Sequence, residues 1–197
     1  MRPYLLYFII IGICSVIINL IATLITGFSF IFSFGCTWIA ILVVVLVDAL
    51  TATICRLLPK RCADFTKKRF AVSKKEKKFY EKLKIRKWKD FVPEIGQFTG
   101  FRKNKLENPQ SVEYLERFLT EICYGEIGHF ASFFTGFLIL LLFPMFSGWW
   151  YYALPVAVIN LVMNLPSFFI LRYNSYKLQI LRESLIKKQA RNQEKEA

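Results

Sequence analysis

The sequence predicts an all-α membrane protein: four transmembrane helices in two hairpins, with basic amphipathic interfacial helices in a long cytoplasmic loop. Three observations lead there. Of 197 residues, 55% are hydrophobic, and mean hydropathy is +0.39, more apolar material than a soluble domain of this length requires. The excess falls in four blocks, roughly 4–26, 30–55, 127–146 and 149–171, each long enough as a helix to cross a hydrocarbon core of about 30 Å. The charge is the third. Nineteen of the 27 Lys and Arg residues lie between Arg56 and Thr120, and seven more follow Leu171. The junctions 27–29 and 144–150 carry none. The positive-inside rule then places the long loop, the tail and both termini in the cytoplasm of a multi-pass cell-membrane protein. Net charge is +13. Because the basic residues flank spans, anionic headgroups account for them, and no nucleic-acid partner is expected.

Residues 1–55 read as an N-terminal transmembrane hairpin turning at Gly27-Phe28-Ser29. The first block, preceded only by Met1-Arg2-Pro3, is too long for a signal-peptide core and is kept as a span. It carries Asn19, read as interhelical glue. The second carries Asp48, a lone carboxylate facing a partner helix, a cavity or interfacial water. The odd count of five cysteines and the lack of a C-x-x-C argue for small packing residues over disulfides or zinc.

Residues 56–120 read as a basic loop with interfacial helices. Ser73-Lys74-Lys75-Glu76 fits a capping box, opening a surface helix with Phe79, Tyr80, Leu83 and Trp88 that ends near Asp90, before Pro93. Residues 93–105 read as a loop. A second helix is expected to start at Asn108-Pro109 and to present Val112, Leu115, Leu119 and Ile122 as one stripe. Trp88, Phe91, Phe98 and Phe101 suit headgroup anchoring; Lys89, Arg102, Lys103 and Lys105 suit gripping the phosphates of an acyl-CoA.

Residues 121–174 read as the second transmembrane hairpin, with the polar site, and 175–197 as a basic cytoplasmic tail. Glu121, Gly125 and His129, the single histidine, recur at steps of four. Glu126 stands three before His129, so either glutamate can reach toward it. Gly125 and Gly128 leave room for a substrate or another backbone. Asn160 and Asn164 share a face of the last span, where Pro166 frees a carbonyl. The two polar stripes are expected to line one cytoplasm-facing pocket. Ionisable groups at the mouth of a membrane helix indicate function by default. A histidine flanked by carboxylates is a general-base arrangement, and the asparagine amides suit a developing oxyanion. With no serine or cysteine nucleophile in place, direct acyl transfer to a hydroxyl fits best. A metal site is not expected: Glu126-x-x-His129 lacks a second copy.

Arg86-Lys87-Trp88-Lys89, Glu121-x4-Glu126-x2-His129, Asn164-x-Pro166 and Arg172-Tyr173-Asn174 resemble, in order and spacing, the glycosyl-4,4'-diaponeurosporenoate acyltransferases, over roughly residues 79–182. The resemblance implies transfer of a fatty acyl group to a sugar hydroxyl in staphyloxanthin-type carotenoid synthesis. It implies catalysis by Glu126 and His129 and a substrate rim of Arg172, Tyr173 and Asn174. Ser175 stands where the family often has a basic residue, and the first hairpin is more extensive than the family's. Acylation or other modification of a different lipid-linked sugar is compatible with the same residues. The expected partners are membrane lipids, a lipid-linked sugar acceptor and an acyl donor, acyl-CoA or another activated acyl group acting as co-substrate rather than cofactor. The alternative is a non-enzymatic lipid-binding accessory or transporter-like protein; transporters usually show an internal repeat, and these two hairpins are dissimilar.

Overall fold

The computed structural model of the chain describes residues 2–93, 106–142 and 145–196. They are all-helical, and four helical stretches among them are long and apolar enough to cross a membrane: Tyr4–Thr26, Phe30–Leu57, Val112–Leu141 and Trp150–Lys195. The chain divides into two compact units. One holds 1–57, 91–93 and 128–167, and the other holds 58–90, 94–127 and 168–197.

The first unit begins with helix α1 (Arg2–Thr26) and helix α2 (Phe30–Leu57), which pack on each other. Gly27 makes the turn at φ 68°, a left-handed position where a side chain is penalised, and its N–H closes on the Thr23 carbonyl at 3.0 Å. Ser29 caps α2: its Oγ accepts from the Phe32 N–H at 3.3 Å. Inward, Ile18, Ala22, Cys36, Ala40 and Val44 form a core with Ile139, Trp149, Tyr152, Ala153, Val156 and Ala157. Outward, Leu24 and Ile31 are 84% and 83% exposed, the surface of helices whose second solvent is lipid. Asn19 departs from the expectation of interhelical glue. It is fully buried, yet neither side-chain amide atom has a hydrogen-bond partner among the described residues. It contributes shape to the α1 interface rather than a bond.

Helix α5 (Val112–Thr135) starts in the second unit and ends in the first. It is followed by a turn at Gly136–Phe137 and by helix α6 (Leu138–Leu142). The third span is thus two helices rather than one continuous run to Phe146. Helix α7 (Trp150–Glu196) is 47 residues long, about 70 Å at 1.5 Å per residue. That is more than twice a hydrocarbon core, so its C-terminal half lies beyond any bilayer its apolar half spans.

In the second unit, helix α3 (Lys74–Lys82) starts at Ser73, whose Oγ accepts from the Glu76 N–H at 3.1 Å. Only half of the expected capping box forms, because the Glu76 carboxylate is bound elsewhere. The single surface helix expected to run to Asp90 is broken. Lys84 adopts φ 53°, separating α3 from helix α4 (Ile85–Trp88). A left-handed, non-glycine residue ends a helix because its carbonyl leaves the helical direction. Downstream, the start of α5 is capped by Ser111, not Asn108: Ser111 Oγ accepts from the Tyr114 N–H at 3.1 Å, and Asn108–Ser111 is a turn. Three of the four residues of the expected apolar stripe pack together, while Val112 is only half-buried. Leu115, Leu119 and Ile122 are fully buried with Phe118, Leu171 and Leu178. Arg182 ties α7 to α5 through the Glu116 carboxylate at 2.6 Å.

Candidate active site

In the first unit, α2, α5 and α7 each contribute to one hydrogen-bonded cluster. His129 Nδ1 lies 2.8 Å from Asn164 Oδ1. The Asn164 amide nitrogen donates to Asp48 Oδ2 at 3.1 Å, to the Asn160 carbonyl at 3.1 Å and to Asn160 Oδ1 at 3.2 Å. Asn160 Nδ2 donates to Asp48 Oδ1 and to the Ser132 carbonyl, both at 3.3 Å. A carboxylate accepts and cannot donate, so Asp48 draws both amide nitrogens toward itself. The Asn164 oxygen is left facing the imidazole. An amide oxygen only accepts, so the proton sits on His129 Nδ1. In the neutral ring Nε2 then carries the lone pair.

Magnitudes favour this pairing. A carboxylate in a membrane helix costs roughly 2.5–3.5 kcal/mol on insertion scales. Hydrogen bonds to a charged group return about 1.5–3 kcal/mol each, so two amides offset the cost. Packing supports the geometry. A Cβ on Gly136 would lie 2.7 Å from Asn160 Nδ2, so only glycine lets the turn after α5 pass this close to the Asn160 amide. Thr51 adds a hydroxyl contact from α2 to Thr135 at 3.0 Å.

In the second unit, Arg172 is bound on every side. Nε and Nη2 grip the two Glu76 carboxylate oxygens at 2.8 and 2.9 Å. Nη1 donates to Glu126 Oε2 at 3.2 Å and to the Arg69 carbonyl at 3.1 Å, and Nη2 also reaches the Ala71 carbonyl at 3.0 Å. A guanidinium has five N–H donors, and all five are used. Arg172 thus joins α7, α5 and the 69–76 segment. Burial of the Glu76 carboxylate works to raise its pKa. The Arg172 hydrogen bonds, that guanidinium's charge and the Tyr80 hydroxyl at 2.6 Å outweigh burial and hold it below the usual glutamate range. Burial and the Glu76 carboxylate push the Tyr80 hydroxyl well above its ordinary value, keeping it a donor.

The expected site residues thus divide. Asn160 and Asn164 are brought together with His129; the Asn160 amide hydrogens are committed to Asp48 and the Ser132 carbonyl, and those of Asn164 to Asp48 and Asn160, rather than left for an oxyanion. The carboxylate two hydrogen bonds from the imidazole is Asp48. Glu126 is 3% exposed, with Oε2 on Arg172 and Oε1 without a hydrogen-bond partner among the described residues. Glu121 is half-buried on α5. Tyr173 is buried under the Lys177 ammonium, 4.4 Å from its ring centroid, and Asn174 is half-buried. Trp88 donates from Nε1 to the Leu83 carbonyl at 2.8 Å, closing the α3–α4 break. Lys89 ends α4, its N–H on the Ile85 carbonyl. Arg102, Lys103, Lys105, Phe98 and Phe101 lie outside the described residues. Gly125 makes a close approach: a Cβ there would sit 2.8 Å from Leu171 Cδ1, whereas Gly128 has nothing within 4 Å. Sequence reasoning missed Asp48 as a member of this cluster. Its signal was present, a lone carboxylate near the end of an apolar run, but its partners lie more than 100 residues away.

The described residues form a helical chain with four membrane-length apolar helices and a half-buried His–Asn–Asp cluster. The chain belongs to the glycosyl-4,4'-diaponeurosporenoate acyltransferase family, whose sequence model matches residues 59–184, more than half of the chain. No curated protein and no solved structure matches it.

Proposed function

We propose that this protein is an integral membrane acyltransferase in which His129 is the general base, moving an acyl group from an activated donor to a hydroxyl of a glycolipid or glycosylated isoprenoid. One observation carries the reading: the 2.8 Å bond from His129 Nδ1 to Asn164 Oδ1, which puts the proton on Nδ1 and makes Nε2 the basic nitrogen of the neutral ring. In this reading Nε2 takes the acceptor hydroxyl's proton as the oxygen attacks the acyl carbonyl, and the imidazolium returns it to the leaving group. Family membership supports the acyl-transfer chemistry. The apolar helices support an acceptor presented from the bilayer. The basic segment 56–90 supports a cytoplasmic membrane surface, where acyl-CoA or another activated donor is at hand. Asn164 acts in place of the flanking glutamate, as the partner that fixes the imidazole's tautomer.

The test compares lipid extracts, by mass spectrometry, from cells making the native protein and the His129→Ala variant. The native protein should yield an ester of defined mass. The variant, inserted at equal level, should yield at least about 100-fold less. An equal yield from the variant removes His129 from the reaction.

A further inference from the structure

We propose that Asp48 is a positioning residue of the acyltransferase site, selecting the histidine tautomer through Asn164. The inference rests on the reading of His129 as base, and it reaches outside the segment that family membership covers, since Asp48 precedes residue 59. Asp48 touches neither the imidazole nor, in this reading, the substrate. It holds Asn164 Nδ2 at 3.1 Å and Asn160 Nδ2 at 3.3 Å. A primary amide can turn end for end with little change of shape. What forbids the turn here is that an acceptor-only carboxylate faces it. Were Asn164 reversed, its oxygen would meet the Asp48 oxygens and its nitrogen would meet the ring nitrogen. The imidazole would then favour the opposite tautomer, with the proton on Nε2 and the lone pair on Nδ1. Asn160 reinforces the choice: its Oδ1 accepts from Asn164 Nδ2 at 3.2 Å while its own nitrogen is held by Asp48 and the Ser132 carbonyl. Helix α2 thus supplies the charge that sets proton placement on α5, with α7 as intermediary.

The informative substitution is Asp48→Asn. It preserves shape, yet an amide can donate as readily as it accepts, so it no longer dictates which end of Asn164 it faces. A purely structural Asp48 would leave the tautomer unmoved by this change, because the variant keeps the side chain's shape and removing a charge from a membrane helix eases insertion. His129 is the only histidine in the chain, so ring-nitrogen-15 histidine labelling of the full-length protein in lipid nanodiscs gives an unambiguous tautomer signal. The native protein should show a protonated Nδ1 and an unprotonated Nε2. Asp48→Asn should populate both tautomers and lower ester formation roughly 10- to 100-fold, chiefly in kcat rather than KM. Unchanged tautomer signals in Asp48→Asn overturn the proposal, whatever happens to activity. A tautomer shift with no ester from either protein upholds the role of Asp48 in setting the tautomer and removes the acyl-transfer reading instead.

Discussion

His129 and Asn164, 35 residues apart, meet at 2.8 Å through Nδ1 and Oδ1, and the orientation of that contact is set by a carboxylate on a third helix. Replacing Asn164 with alanine removes the amide oxygen that His129 Nδ1 meets and one of the two amide donors to Asp48. Ester formation should fall about 100-fold. The protein should also lose roughly 1 kcal/mol of stability, because the half-buried Asp48 carboxylate gives up one hydrogen bond. Lipid mass spectrometry and thermal unfolding in detergent read the two effects. Full activity in Asn164→Ala would count against a tautomer-fixing role.

Arg172 should matter to folding more than to substrate affinity. Arg172→Ala strands the buried Glu126 carboxylate and should cost about 3–5 kcal/mol. Arg172→Lys keeps the charge but has three donors for five acceptors and should cost about 1–3 kcal/mol. Melting curves in detergent distinguish them. A rise in KM for the acyl donor at unchanged melting temperature would restore Arg172 to substrate binding.

Stability should fall on the acid side because of Glu76. Its pKa is held below the ordinary value of 4.5, so the folded state binds this proton less tightly than the unfolded chain. The stabilisation is complete above the unfolded pKa and disappears as pH drops through the lower folded value. Between about pH 5 and 3 the native protein should lose melting temperature faster than Glu76→Gln, which lacks the titrating group. Parallel acid limbs for the two proteins would contradict this.

Three glycines of one segment should respond differently to alanine. Gly136→Ala places a methyl 2.7 Å from Asn160 Nδ2 and should cost about 1–3 kcal/mol. It should also reduce activity, because Asn160 is tied to Asp48. Gly125→Ala meets only the flexible end of Leu171 at 2.8 Å; it should destabilise less and spare chemistry. Gly128→Ala meets nothing and should gain up to about 1 kcal/mol from helix propensity. Unfolding and ester yield, measured side by side, check the order.

Local signals reported local facts. Apolar runs of span length marked the four helices, since backbone satisfaction in lipid admits little else. Gly27 marked a turn that needs positive φ. Period-four leucines marked the buried face of α5. Where two local signals competed, the sequence was ambiguous. Asn108-Pro109 and Ser111 both read as helix starts, and the hydroxyl nearer the apolar stripe prevailed. Nothing in 74–90 announced that Lys84 would turn left-handed.

The site shows the same division. Sequence alone was enough to name the histidine, the two asparagines and the family-like spacing around them, because those depend on residue type and helical period. It did not reveal which carboxylate stands behind the imidazole. Glu126 lies three residues from His129, but its Oε2 is held by Arg172, whereas Asp48 reaches the ring through Asn164 from a helix 81 positions earlier. Helical spacing says which side chains share a face. Which charge meets which donor is decided when separate helices pack, because a buried charge is stable only beside a partner that answers it, and only tertiary structure brings that partner in.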